Sequence, residues 1–296
     1  MLWFVLVGCG FIDAPGDPWV EAHRGAAGSW PQNSSTALLG SIEADFDGIE
    51  FDLVLTSDDV PVLSHDPWVD EDLCTDPGGA ELTERVYIQD LNLESLETDY
   101  LCGGIEDPEF PEAEVVAEPI MTFDSLLEAL QDASPDMVVH IDVKYEPGQT
   151  PEPDRFAEAI LSRWWDSGLS QPMYVSANLP EATRAFENRA DEEGLDLQTS
   201  LIWPRFTDET SDTVTALKSE FSSSMGVVDL VSLAASARAD GLAIPYQLAS
   251  RSEIRAARIE GLQVAIWTVN EASLLDTYAG WPIDALITDY PERATW

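Results

Sequence analysis

Positive charge is scarce in this chain. Against 56 acidic residues stand 14 lysines and arginines, only Lys144 and Lys218 being lysine, and the formal net charge over 296 residues is −42. A field of that sign repels nucleic acid and anionic membrane surfaces, which disfavours nucleic-acid binding as a function. The acid excess itself speaks to solubility or to life in high salt rather than to fold. Long apolar runs are scarce too: the stretch from Leu2 to Val7 falls far short of the ~20 residues a membrane-spanning helix needs. No internal repeat and no linker of biased composition divides the chain. Its length suits one α/β barrel, although length alone would also allow two smaller domains. A hydrophobic content of 45% supports a sizeable core.

Cysteine and histidine are also rare, with three of each. Cys9 closes the tetrapeptide Leu6-Val7-Gly8-Cys9, which resembles the lipobox of bacterial lipoproteins, where the cysteine is lipidated. The apolar run before it is short for a signal core and lacks a basic leader, so either the start of such a signal lies upstream or the match is accidental. The lipoprotein reading makes residues 1–17 a signal remnant and linker and residues 18–296 the folded unit. It also places the protein outside the cytoplasm, held to the membrane by a lipid anchor only. Cys74 and Cys102 remain as a pair. In an exported protein they read as a disulfide, and in a cytosolic one as two ordinary thiols.

Eight β-rich apolar runs punctuate the chain: Trp19 to His23, Gly48 to Leu53, Met137 to Lys144, Met173 to Ala177, Leu197 to Trp203, Gly241 to Pro245, Gln263 to Val269 and Asp284 to Thr288. Between most of them lie segments of helical spacing, clearest over Thr36 to Ala44, Thr122 to Gln131, Arg155 to Trp165, Glu181 to Asp191, Ser250 to Glu260 and Glu271 to Tyr278. Strands alternating with helices predict parallel βαβ units. The pattern by itself does not separate a closed (β/α)8 barrel from an open doubly wound sheet. Residues from about 56 to 120 break the rhythm with a short return strand, Val60 to Leu63, and then a long acidic stretch. Between Asp66 and Glu118 the only basic residue is Arg85. A loop this long inside a compact domain tends to be functional.

Two of the three histidines and a tight acid pair fall between Ala22 and Asp66. Glu50 and Asp52 alternate with Ile49, Phe51 and Leu53, so a strand there turns both carboxylates to one face and the apolar residues to the other. Adjacent acids repel unless something positive lies between them, and a hard divalent cation suits carboxylate oxygens. The unspecific alternative is a salt-bridged pair, for instance to Arg24. His23 and His65 on either side suit an acid and a base for phosphoryl-ester chemistry. A guanidinium at Arg24 matches phosphate oxygens in a fork.

His23-Arg24-Gly25, Pro31-Gln32-Asn33-Ser34, Gly48-x-Glu50-x-Asp52-x-x-x-Thr56-x-Asp58 and His65-Asp66 together resemble the signature of glycerophosphodiester phosphodiesterases, a family related to phospholipase C-like enzymes. Val139 to Lys144, Ile266 to Asn270 and Ile287 to Pro291 are similar to later strands of that family, and the motifs occur in its order. The resemblance implies a (β/α)8 barrel, with the acidic stretch as a small insertion after the second strand. It implies metal-dependent hydrolysis of glycerophosphodiesters to glycerol 3-phosphate and an alcohol. His23 and His65 would be catalytic, Arg24 and Lys144 would bind phosphate, and Glu50, Asp52 and Asp142 would hold one Ca2+ or Mg2+. Asp142 stands where the family usually has glutamate, and Gln32 where it usually has glutamate, a loss of charge that keeps hydrogen-bonding capacity. His140 reads as an interior histidine or as a catalyst, and Trp267 as core or as a wall of the substrate pocket. Two other functions fit the same residues: phospholipase D-type cleavage of lysophospholipids or sphingolipids, and a non-catalytic lipoprotein that binds a phosphate ligand. On either enzymatic reading, a disulfide between Cys74 and Cys102 would hold the insertion over the barrel rim.

Overall fold

The computed structural model describes residues 16–202 and 227–296; Cys9 and Lys218 lie outside them. The chain begins with strand β1 (Trp19–Ala22), helix α1 (Ser35–Glu43) and strand β2 (Gly48–Leu55). Strand β3 (Pro61–Leu63) turns back antiparallel along β2, pairing Leu63 with Leu53. The turn between them is built by Thr56. Its hydroxyl donates to Asp58 Oδ1 at 2.7 Å and accepts from Val60 N at 3.0 Å, and Asp59 takes a left-handed φ of 60°. The Thr-x-Asp stretch of the sequence therefore closes a hairpin.

Two small antiparallel sheets follow, β4 (Trp68–Val69) with β6 (Val86–Tyr87) and β5 (Cys74–Thr75) with β7 (Leu101–Cys102), with helix α2 (Leu93–Asp99) between β6 and β7. The long acidic loop of the sequence is thus folded into short strands and a helix. The insertion has an apolar core of its own, in which Val69, Ile88, Leu96 and Ile120 pack on Val54 and Val62 of the barrel hairpin. Cys74 and Cys102 face each other in register and are disulfide-bonded.

From helix α3 (Phe123–Leu130) onward, strand and helix alternate: β8 (Val138–Val143), α4 (Pro153–Ser167), β9 (Met173–Ala177), α5 (Pro180–Glu193), β10 (Gln198–Ile202), α6 (Val227–Ala237), β11 (Gly241–Pro245), α7 (Arg251–Ile259), β12 (Gln263–Trp267), α8 (Ala272–Ala279) and β13 (Ala285–Thr288). The sheet runs β1-β13-β12-β11-β10-β9-β8-β2, all parallel, and Ala22 pairing with Ile49 closes it on itself. The fold is the (β/α)8 barrel that the family resemblance implies.

Period-two alternation decides what faces where. Ile49, Phe51 and Leu53 of β2 point outward and are fully buried in a core shared with Leu38, Phe123 and Leu126 of the surrounding helices. Burial of such side chains contributes roughly 1.5–3 kcal/mol each, so the apolar half of β2 fixes its register and thereby aims the polar half into the barrel. Among the described residues no helix is long and apolar enough to cross a membrane.

Candidate active site

Parallel register sets the inward side chains side by side. Asp52 of β2 pairs with Asp142 of β8, which pairs with Ser176 of β9; one layer deeper Glu50, His140 and Tyr174 align in the same way. Carboxylate oxygens of Glu50, Asp52 and Asp142 lie within 4.8 Å of one another, all three residues buried. Lys144 Nζ sits 2.7 Å from Asp52 Oδ1 and also bonds Asp142. Asn33 Nδ2 donates to Asp52 Oδ2 at 2.7 Å, and its Oδ1 accepts from Asp52 N at 3.1 Å, from a left-handed backbone (φ 55°) that asparagine tolerates. Ser176 Oγ donates to Asp142 Oδ1 at 3.2 Å.

These contacts leave the site short of positive charge. Burial, then the neighbouring Asp52, push the Glu50 carboxyl up to about 8. Burial also works against the charge of Asp52, but Lys144 and Arg24 outweigh it and hold that carboxyl well below the usual range. Three convergent acids, one of them reluctant to ionise and two bridged by an ammonium, form a donor set that fits a hard divalent cation. Lys144 thus stands among the proposed metal ligands.

His23 and Arg24 follow β1 directly, at the C-terminal rim. His23 Nδ1 is 2.6 Å from Asp289 Oδ1, which leaves Nε2 toward Glu50 at 3.9 Å. Burial raises the Asp289 carboxyl, but His23 and hydrogen bonds from His23 and Asn270 (Nδ2 to Oδ2, 2.7 Å) hold it below its ordinary value. Arg24 has a left-handed backbone (φ 51°), its N–H donates to Glu50 Oε2 at 2.8 Å, and its Nε faces Asp52 Oδ2 at 3.4 Å. The salt-bridged reading of the acid pair is met through Arg24 Nε on Asp52. His65 comes off β3 onto the same rim, its Nδ1 3.0 Å from Asp66 Oδ1. Burial, Arg24 and Lys144 push the His65 imidazole down to about 3.

One cavity of about 250 Å³ takes in His23, Arg24, Glu50, His65, Asp142 and Lys144 on one side, and Ile202, Pro245, Leu248, Trp267 and Ile287 on the other. Trp267 Nε1 is buried with no hydrogen-bond partner among the described residues, so it suits a pocket wall better than a satisfied core position.

Residues 23–293 match the sequence profile of the glycerophosphoryl diester phosphodiesterase family. The chain belongs to this family. A candidate glycerophosphoryl diester phosphodiesterase of Silicibacter pomeroyi superposes with a TM-score of 0.77 at 20% identity, covering 94% of this chain and 92% of the other. An Oleispira antarctica phosphodiesterase, solved with its product sn-glycerol-3-phosphate, gives 0.66 at 18% identity over 93% and 94%. An uncharacterized Mycobacterium tuberculosis protein, Rv2277c, is 28% identical over 180 residues, 59% of this chain and 56% of its own length. The chain thus spans about half the length of the curated relatives it matches first.

Within this family member, several residues at the site escaped the sequence reading. Asp289 was visible only as part of a closing strand motif, 266 positions from the histidine it holds. Glu21, Tyr174 and Ser176 form a buried network with His140: Nδ1 meets Glu21 Oε2 at 2.7 Å, Nε2 meets Ser176 Oγ at 2.6 Å, and the Tyr174 ring stacks at 4.1 Å. Both ring nitrogens of His140 are engaged, the condition of an interior histidine. Burial opposes its charge, yet Glu21 raises its pKa above the ordinary value. The alternation Trp19-Glu21-His23 was the available signal, since it turns Glu21 inward beneath His23.

Proposed function

We propose that this chain hydrolyses glycerophosphodiesters to glycerol 3-phosphate and an alcohol. One observation carries the reading: two histidines, each held at Nδ1 by its own carboxylate, share a cavity with Arg24, Glu50 and Asp142, and the last two converge with Asp52 behind the cavity wall. Family membership supports it, and so does the sn-glycerol-3-phosphate in the Oleispira antarctica relative.

Arg24 binds the phosphate through its fork of N–H donors. His65, its Nδ1 held by Asp66 and its ring lining the cavity, accepts the proton of the attacking hydroxyl. In the first step that is the adjacent glycerol hydroxyl, which forms a cyclic phosphate as the alcohol leaves. His23, its ring fixed by Asp289, delivers a proton from Nε2 to the departing alkoxide. Water then opens the cycle, with His23 taking its proton and His65 returning one to the glycerol oxygen, so both imidazoles end as they began. A Ca2+ or Mg2+ on Glu50, Asp52 and Asp142 would supply charge stabilisation at the phosphate oxygens. Lys144 balances these acids and lies close enough to share that role.

A second reading keeps the site and takes lysophospholipids or sphingolipids, and the apolar wall of Ile202, Leu248, Trp267 and Ile287 favours it. Purified protein incubated with glycerophosphocholine and, separately, with lysophosphatidylcholine separates the two. Release of glycerol 3-phosphate from the first, with little turnover of the second, is the expected result. His23→Ala and His65→Ala should each lower the rate by ~10²–10⁴-fold while leaving the folded state intact. A variant that keeps more than about a tenth of the activity would remove its histidine from the mechanism.

A further inference from the structure

The turn after β1 is tied to the insertion by a contact whose polarity an amide can supply and a carboxylate cannot. Gln32 Oε1 accepts from Arg24 Nη1, while Gln32 Nε2 donates to Asp107 Oδ2 at 3.0 Å. Asp107 is itself held in place. Its Oδ1 accepts from Glu109 N at 2.9 Å, and its carbonyl accepts from Phe110 N at 3.0 Å. Phe110 is buried and meets the Tyr290 ring edge-on at 6.4 Å, next to Asp289.

The segment carrying Asp107 is fastened to the same turn on both sides. Glu114 N donates to Ser29 O at 3.0 Å, and the Glu118 carboxylate accepts from Thr36 N at 2.9 Å. Gly103, at φ +77°, lies so close to the turn that a Cβ there would come within 2.7 Å of Pro31 Cβ. Cys102 exchanges backbone hydrogen bonds with Glu118 at 2.8 and 3.0 Å, so its disulfide to Cys74 secures the beginning and the end of the segment together.

We propose that Gln32 is a positioning residue through which Asp107 of the insertion orients the Arg24 guanidinium for phosphate. This rests on the phosphodiesterase reading. Arg24 already faces Asp52 through Nε and Glu50 through its backbone. A full negative charge placed on Nη1 as well would compete with the phosphate for the same cation. The amide makes that hydrogen bond without the charge and passes the orienting contact on to Asp107, whose carboxylate stays one residue removed. A glutamate at position 32 would have no proton for Asp107 and would meet it with like charge. The insertion thereby sets substrate affinity from outside the cavity.

The test compares wild type, Gln32→Glu, Asp107→Asn and the double variant. Three quantities are read: affinity for sn-glycerol 3-phosphate by calorimetry, kcat and KM with glycerophosphocholine, and Tm. Gln32→Glu should weaken product binding and raise KM by about tenfold, with kcat moved by less than about threefold. Asp107→Asn should cost a few-fold in the same direction. The double variant should bind at least about threefold better than Gln32→Glu alone, because the amide introduced at position 107 can donate to the carboxylate introduced at position 32 and rebuild the relay with its polarity reversed. Gln32→Glu binding within about twofold of wild type, or single effects that simply multiply in the double, would overturn the relay. A lowered Tm without a KM change would mark a merely structural role and overturn it equally. Wild type that neither binds the product nor cleaves the diester would overturn the phosphodiesterase reading, and the relay with it.

Discussion

His65 shows how burial and neighbouring charge select a role for one side chain. An unfolded imidazole titrates near 6.5, whereas burial beside Arg24 and Lys144 brings the folded one to about 3. Between those values the unfolded chain binds more protons than the folded one, so this group makes stability fall as pH drops from about 6.5 to about 3. Tm measured against pH for wild type and His65→Asn should show a shallower acid slope in the variant, by close to one proton in that window. An unchanged slope would mean that His65 titrates normally in the folded protein. Residues of this kind were legible because their chemistry is rare in the chain and their spacing matches a strand: His23, Glu50, Asp52 and His65 could be named from the sequence. Asp289 and Asp107 could not. They belong to an abundant residue type, and only barrel closure and the folded insertion bring them to His23 and Gln32.

At the scale of elements, the eight barrel strands were readable because each combines β-rich composition with flanking helical or turn signals. Helix α6 (Val227–Ala237) was not placed, since its polar positions Asp229, Ser232 and Ser236, although at helical spacing, are few, and the small residues around them give little contrast between the two faces. The insertion itself was placed, but its internal fold was not legible, for a related reason. Its core residues Val69, Ile88, Leu96 and Ile120 come from short apolar groups far apart in the sequence and separated by acidic stretches, so no single window shows a sustained period. A covalent tie suits so small a core, and closing a loop of 28 positions stabilises by about 3–4 kcal/mol in the chain-entropy picture. The Cys74→Ser/Cys102→Ser variant should therefore become susceptible to limited proteolysis within residues 66–118 before the barrel is cut. Cleavage no faster than in wild type would show that the apolar core alone holds the insertion.

Across the whole molecule, a net charge of −42 surrounds a site that gathers Arg24 and Lys144 among buried acids. Long-range repulsion of a phosphate-bearing substrate falls off over about a Debye length, roughly 10 Å at moderate salt, so binding depends on positive charge supplied locally. Arg24 and Lys144 face Asp52 and Asp142, while burial and Asp52 keep Glu50 from ionising; a divalent ion among the three acids would let all of them ionise and would add the local positive charge that the substrate needs. Diester cleavage that depends on a metal is the proposal that this charge balance supports. Its most direct measurement is glycerol 3-phosphate release from glycerophosphocholine by chelator-stripped protein, verified metal-free by elemental analysis, before and after adding Ca2+ or Mg2+. The account predicts no turnover without metal, recovery with one of the two ions, and no recovery in Glu50→Gln. Full activity in the metal-free protein would contradict it.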